Sequence, residues 1–300
     1  MIALARKGRI YKNLALSRVR SRGIEEEIDL AYRHLLLRGV DAQGLDHYVG
    51  RLKSGEITRN EFLEVLRGSE EFRTKVRFKD LLTSLHWSRC QFVRSFPRAR
   101  RILDLGGASQ SYAYGSLIAM GYPYDFEKLV ILDLPTEDRH ELYQYGERPE
   151  RVDSPQGPVE YVYRSMTDLS NFGDGEFDLI YSGQSIEHIS EAEGELCLKE
   201  SFRVLKPGGH LVLDTPNGRV CRIQQPDFIN PDHQVEYTHE QLANKFEAAG
   251  FQILEAKGLN YVGRSVANAA FSREEAAANM GVYWQIEDCY LLAYVCQKPD

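Results

Sequence analysis

From Arg98 to the end of the chain, short apolar runs alternate with stretches of helical periodicity, and this alternation limits the fold more than any other feature. Seven runs read as strands: RRILDLGG, KLVILDLP, VEYVYRSM, FDLIYSG, GGHLVLDTP, FQILEAKGLNYV and DCYLLAYVCQK. Helices are predicted between them, over 111–120, 191–205 and 240–249. The second and third open on capping boxes, Ser190 with Glu193 and Thr238 with Gln241. A strand followed by a crossover helix, repeated, gives an α/β fold with a doubly wound, mostly parallel, seven-stranded sheet covered on both faces.

The preceding segment has a different rhythm. Ile24, Ile28, Ala31 and Leu35 recur at helical spacing, Gly39 and Gly44 interrupt it, and Leu45, Tyr48, Val49 and Leu52 make a second apolar face. Thr58 with Glu61 caps a third helix through Phe62, Leu63, Val65 and Leu66. The expected organisation is therefore a basic arm over 1–23, a small all-helical domain over 24–80 and the α/β domain over 86–300. The arm carries seven of the 37 basic side chains and none of the 44 acidic ones, which leaves the rest of the chain at a net charge of −14. An acidic body argues against binding a phosphate backbone, so no nucleic-acid partner is expected. The arm also carries Ile2, Leu4, Ile10, Leu14, Leu16 and Val19, and peripheral contact with an anionic membrane surface is one reading of it. A solvated terminus is the other.

No apolar run approaches the roughly 20 residues of a spanning helix, and the N-terminus lacks the apolar core of a secretory signal. The five cysteines form no C-x-x-C pair, which points to free buried thiols in a reducing compartment. The expected location is cytoplasmic, with the inner face of the membrane as a variant.

In a doubly wound sheet, ligands bind at the carboxyl ends of the strands. Asp104, Gly106, Gly107, Ala108 and Ser109 follow the first strand, Asp133 ends the second, Asp168 follows the third, and Ser182, Gly183 and Gln184 follow the fourth. The first loop, G-G-A-S-Q-S, lacks the third glycine of a dinucleotide fingerprint, which disfavours a nicotinamide dehydrogenase, and no phosphate-binding G-K-[ST] occurs. Asp104, just before the glycines, would repel a phosphate and suits a cation or an amine.

These motifs resemble those of the class I S-adenosylmethionine-dependent methyltransferases, over about residues 86–298. ILDLGGASQ is similar to the family's first motif, with Ala108 at the usual second glycine and Gln110 a further departure. VILDLP, SMTDL, FDLIYSGQSIEHI and SFRVLKPGGHLVLDTPN resemble the motifs that follow. The resemblance implies a Rossmann-like methyltransferase fold that takes S-adenosylmethionine and releases S-adenosylhomocysteine. It implies that Gly106, Gly107 and Ala108 approach the donor's methionine part and that Asp104 anchors its amino group. Asp133, with Leu134 beside it, would hold the ribose; Thr167, Asp168 and Leu169 would lie at the adenine; Ser182, Gly183 and Gln184 near the sulfonium. The segment YRHLLLRGVDAQGLDHYVGRLKSGEITRNEFLEVLRGSEEFR resembles a small helical module of unknown function that is often attached to bacterial enzymes of surface-polysaccharide synthesis.

A sugar hydroxyl must lose its proton to become a good nucleophile. Two places offer a base: Glu187–His188 past the fourth strand, and the insertion NGRVCRIQQPDFINPDHQVEYTHEQL, with Asp232, His233, Glu236, Tyr237 and His239. His233 is the first candidate and His188 the second, with Glu187 beside it. Closure of the donor pocket by 187–188 and plain capping by Thr238 are the structural alternatives. No metal is expected; the one set considered is Asp232, His233 and a distant carboxylate. A further insertion, 263–289, with a capping box at Ser272 and Glu275, would line the acceptor pocket or mediate a homo-oligomer. The leading expectation is methyl transfer to a hydroxyl, less favourably an amine, of a sugar in bacterial surface-glycan synthesis. A soluble small-molecule acceptor and a non-catalytic scaffold with a degenerate donor site are the alternatives.

Overall fold

The structure is a computed structural model that describes residues 23–36, 38–75, 81–109, 112–140 and 148–300. The basic arm therefore lies outside the described residues, apart from Gly23. The chain divides into two compact units between Thr83 and Ser84.

The first unit is helical: α1 (Ile24–Leu35), α2 (Ala42–Ser54), α3 (Arg59–Gly68) and α4 (Glu70–Lys75). Ile28, Tyr32, Leu36, Tyr48, Ile57, Phe62 and Leu66 form its core. Gly44 does not interrupt the helical pattern. It is the third residue of α2, its N–H is capped by the Asp41 side chain at 2.7 Å, and a Cβ there would meet the Tyr32 hydroxyl at 2.7 Å. A glycine here lets two helices approach. Val65, expected on the apolar face of α3, is 46% exposed.

The second unit takes most of α5 (Leu81–Val93), then β1 (Arg101–Leu105), α6 (Gly115–Ala119), β2 (Lys128–Asp133), β3 (Arg151–Ser154), β4 (Gly157–Tyr163), β5 (Phe177–Gly183), α7 (Glu191–Val204), β6 (Leu205–Pro216), α8 (Gly218–Gln224), α9 (His239–Ala248), β7 (Gln252–Tyr261), α10 (Gly263–Ala267), α11 (Arg273–Ala278), β8 (Val282–Tyr283) and β9 (Cys289–Gln297). The strands form one sheet in the order β3-β4-β2-β1-β5-β6-β9-β7-β8. β4, β2, β1, β5 and β6 are mutually parallel, and β9 lies antiparallel between β6 and β7. The chain leaves β1 toward β2 and later returns to β5 on the other side, so the switch point falls between the carboxyl ends of β1 and β5.

The α/β doubly wound fold stands, with nine strands instead of seven. The two additions are short edge strands, β3 and β8, each antiparallel to its neighbour. The central strands are buried on both sides, as their unbroken Ile, Leu and Val runs require; Leu129, Val130 and Ile131 are wholly covered. Both capping boxes, at Ser190 and Thr238, are formed. The box at Ser272 is half formed. Ser272 accepts from the Glu275 amide, but the Glu275 carboxylate turns inward to the amides of Arg264 and Ser265. Lys206-Pro207-Gly208-Gly209 is not a separate turn but the opening of β6, where Gly208 takes φ +73° and the register with β5 shifts. All five cysteines are free and buried. No helix among the described residues is long and apolar enough to cross a membrane.

Candidate active site

β1 carries Asp104 to the switch point, and the chain then turns over it. Gly106 takes φ +74°, a conformation natural to glycine, and donates its N–H to the Leu132 carbonyl of β2 at 2.7 Å. Gly107 lies against the Asp104 carboxylate so closely that a Cβ there would fall 2.0 Å from Oδ2. Asp104 is 1% exposed, and neither carboxylate oxygen has a hydrogen-bond partner. The Leu117 amide is near enough to lower its pKa but does not reach hydrogen-bond geometry. Burial, with repulsion from Asp133 and Asp214, outweighs Arg89 and raises the Asp104 pKa from 3.8 to about 7. Gly107→Ala is expected to push the loop off Asp104 and destabilise the fold by about 1–3 kcal/mol, as overpacking does. Thermal unfolding checks this, and an unchanged Tm would refute the close approach.

The same loop reaches the end of β2. Ala108 donates its N–H to Asp133 Oδ2 at 3.2 Å, and the Leu134 N–H bonds Oδ1 at 2.8 Å. The small side chain of Ala108 thus leaves the loop closed on Asp133. Arg139, which the motifs did not point to, is buried with Nε 3.4 Å from Asp133 Oδ1 and its guanidinium 5.7 Å from the centre of the Tyr163 ring. Asp133 is thus held by two amides and a cation.

The expected adenine side is not assembled in the same way. The Asp168 side chain is 53% exposed, accepts from the Ser170 hydroxyl at 2.6 Å and pairs with Arg164 at 3.1 Å. Those bonds, the Ser170 hydroxyl foremost, lower its pKa. Thr167 bonds Ser165 at 2.8 Å. Leu169 is wholly buried in the hydrophobic core, so packing against an adenine ring is not its role in this conformation.

At β5, Ser182 bonds Ser185, whose hydroxyl reaches the Leu105 carbonyl of β1 at 2.9 Å and ties the two strand ends together. Gly183 lies beside a network that the motifs did not reveal. Arg89 of α5 donates to Asp214 of β6 at 2.7 Å and to the Tyr181 hydroxyl at 3.1 Å, and Tyr181 donates to Asp214 at 2.6 Å. A Cβ on Gly183 would strike both Tyr181 and Arg89. Gln184, at φ +58°, bonds Asp214 through its amide and its side chain. Its side chain serves that network. An aspartate in the apolar run LVLDTP was the available signal; Arg89 precedes every methyltransferase-like motif and gave none.

The insertion after β6 returns to the 3-10 turn Ile186–His188. The amides of Gln234 and Val235 bond the Glu187 carbonyl, and the Gln234 side-chain amide donates to the His188 carbonyl. This stitching brings His233 beside His188, with ring centres 5.1 Å apart. His233 Nδ1 meets Glu236 Oε1 at 2.7 Å, and His188 Nδ1 meets Asp232 Oδ2 at 2.8 Å. Glu187 is 1% exposed; Oε2 accepts from Thr215 at 2.9 Å, and Oε1 has no hydrogen-bond partner. Burial raises its pKa to about 7 and lowers that of His188. Burial works against the Glu236 carboxylate too, but bonds from His233, Ile229 and Arg222 outweigh it and lower its pKa. The three residues named as catalytic in the sequence thus form one cluster.

Comparison with known proteins agrees with this architecture. The family described as "Methyltransferase domain" matches residues 123–213, and one described as "Domain of unknown function (DUF4214)" matches residues 25–76. A Mycolicibacterium smegmatis protein described as a "Probable S-adenosylmethionine-dependent methyltransferase" is 31% identical over 86 residues, which are 29% of this chain. The match spans about a third (33%) of that curated relative's length. A solved S-adenosylmethionine-dependent methyltransferase from Thermotoga maritima shares the fold at a TM-score of 0.50 and 16% identity, covering 73% of this chain and 91% of its own. The α/β unit thus has the fold of a solved S-adenosylmethionine-dependent methyltransferase, and its residues 123–213 match the methyltransferase-domain family.

The residues present fit that donor. A buried carboxylate without a hydrogen-bond partner, under a loop where only glycine fits, is a position that a charged amino group would satisfy.

Proposed function

We propose that the protein transfers a methyl group from S-adenosylmethionine to a hydroxyl of a sugar, in the synthesis of a bacterial surface glycan. The observation that carries the donor half is the partnerless Asp104 carboxylate beneath Gly106 and Gly107. Asp104 would hold the donor's amino group and Asp133 its ribose hydroxyls, the latter in competition with Arg139. Thr167 and Asp168 would meet the adenine after Asp168 releases Ser170, and Gly183 supplies backbone nearby. When bound, S-adenosylmethionine supplies an electrophilic methyl group and leaves as S-adenosylhomocysteine.

The acceptor half rests on Glu187, His188 and His233. Methyl transfer to a hydroxyl needs its proton drawn off, and these three groups, two of them braced by carboxylates, suit that task. The sugar reading is further supported by the helical module and its resemblance to modules attached to polysaccharide enzymes. A membrane-side location through residues 1–23 and a homo-oligomer belong to the same proposal.

Calorimetric titration with S-adenosylhomocysteine tests the donor half; absence of heat and of thermal shift would overturn it in favour of a scaffold. Asp133→Ala is expected to weaken that binding by about 1–3 kcal/mol, the value of a hydrogen bond to a charged group. An unchanged affinity would remove Asp133 from the ribose. Methyl transfer to nucleotide-linked and polymeric glycans, measured against soluble acids, amines and phenols, tests the acceptor. A preference for the soluble compounds would overturn the sugar assignment.

A further inference from the structure

We propose that Glu187, His188 and His233 bind a divalent first-row transition cation, through which the acceptor hydroxyl is held and activated. One ligand atom from each residue lies within 4.8 Å of the other two, so a small closure brings all three onto one ion. Both histidines have Nδ1 against a carboxylate, Asp232 at 2.8 Å and Glu236 at 2.7 Å. A carboxylate acceptor fixes the proton on Nδ1 and leaves the lone pair on Nε2. That is the state in which imidazole ligates a metal, and a carboxylate behind the ring is the usual support for such a ligand.

Glu187 supplies the second, independent observation. Its side chain is buried, Thr215 satisfies Oε2, and Oε1 has no hydrogen-bond partner. Among the described residues no lysine or arginine pairs with it. A cation would meet that oxygen. Asp232, weighed in the sequence as a ligand, instead positions His188; the ligand set differs from the one considered there.

Two imidazoles and one carboxylate suit manganese, iron, cobalt or zinc rather than magnesium or calcium, which favour oxygen throughout. Three protein ligands leave positions open for acceptor oxygens. A hydroxyl on such a cation is more acidic and its proton passes to solvent water, so the three side chains act on it through the ion and not as direct bases. This role in activation deepens the methyl-transfer reading and rests on it; cation binding itself does not.

The test is titration of the full chain, stripped with EDTA, with Mn2+ alone, followed by electron paramagnetic resonance. One saturable ion per chain is expected. His188→Ala and His233→Ala should abolish it, and Asp232→Asn, which alters only support, should weaken it about 10–100-fold. S-adenosylhomocysteine affinity, measured on the same variants, should not change, which shows that they are folded. No saturable Mn2+ binding by the wild type, or binding untouched in both histidine variants, would overturn the proposal. Mn2+ binding without S-adenosylhomocysteine binding would leave the cation site standing and remove the methyl-transfer reading; the converse would remove the cation alone.

Discussion

Arg89→Met is expected to lower the thermal midpoint of the α/β unit by about 6–20 °C, the equivalent of roughly 3–5 kcal/mol in a unit of this size. Asp214 is fully covered, and Arg89, with 18% of its side chain exposed, is the cation that pairs with it. Burial works against the Arg89 charge, but Asp214 and Tyr181 outweigh it and raise its pKa. The same burial, with Asp214 opposing Arg89, holds the Tyr181 hydroxyl protonated well past its ordinary range. Removing the guanidinium leaves a buried carboxylate with only the Tyr181 and Gln184 donors. Methionine keeps most of the side-chain volume, so the loss isolates charge from packing. The control is Asp214→Asn in the Arg89→Met background, which removes the stranded charge and should recover a large part of the loss through the coupling of adjacent groups. A single variant within about 2 °C of the wild type would show that the pair is neutral to stability.

This network also marks where sequence reading stops. The strands were legible because parallel strands buried on both faces need unbroken apolar runs, and the helix starts because capping boxes are local. Asp104, Gly106, Gly107 and Asp133 were legible for the same reason: each sits within a residue or two of a strand end. β3 and β8 were not, since a four-residue and a two-residue edge strand carry too little pattern. Arg89 lies 125 positions from Asp214, and Arg139 lies in a loop with no periodicity; their partners are fixed only by tertiary packing. In the insertion, the density of titratable groups singled out the stretch that packs against Glu187 and His188. It could not show that Asp232 and Glu236 stand behind the imidazoles, because that division of labour depends on where the loop is stitched to Glu187 and His188. Gly44 misled for a related reason. A glycine near a helix start reads as a break, yet its missing side chain serves the contact with Tyr32.

Asp104→Asn should make the protein more stable and at the same time a much weaker binder of the donor. In the folded chain the carboxyl has its pKa raised from 3.8 to about 7, chiefly by burial. Between those two values the native state keeps a proton that the unfolded chain has released. Stability therefore falls as pH rises through that window, and the full penalty is present above pH 7. A gap of that size is worth about 4 kcal/mol. Asparagine carries no titrating proton, so the variant should unfold at a higher temperature than the wild type at pH 8, with the difference fading toward pH 4. Donor binding moves the other way. The donor's ammonium needs the ionised carboxylate, so S-adenosylhomocysteine affinity should strengthen in the wild type as pH rises through 7. In Asp104→Asn it should be weak and lack that rise. The loss should be of the order of 100-fold, as for a buried charged partner removed. Thermal unfolding and calorimetric titration across pH 5–8 measure both quantities on the same samples. A residue that merely shaped the glycine loop would change stability and affinity in the same direction. A variant that is less stable at pH 8, or that binds the donor as tightly as the wild type, would take Asp104 out of the donor site.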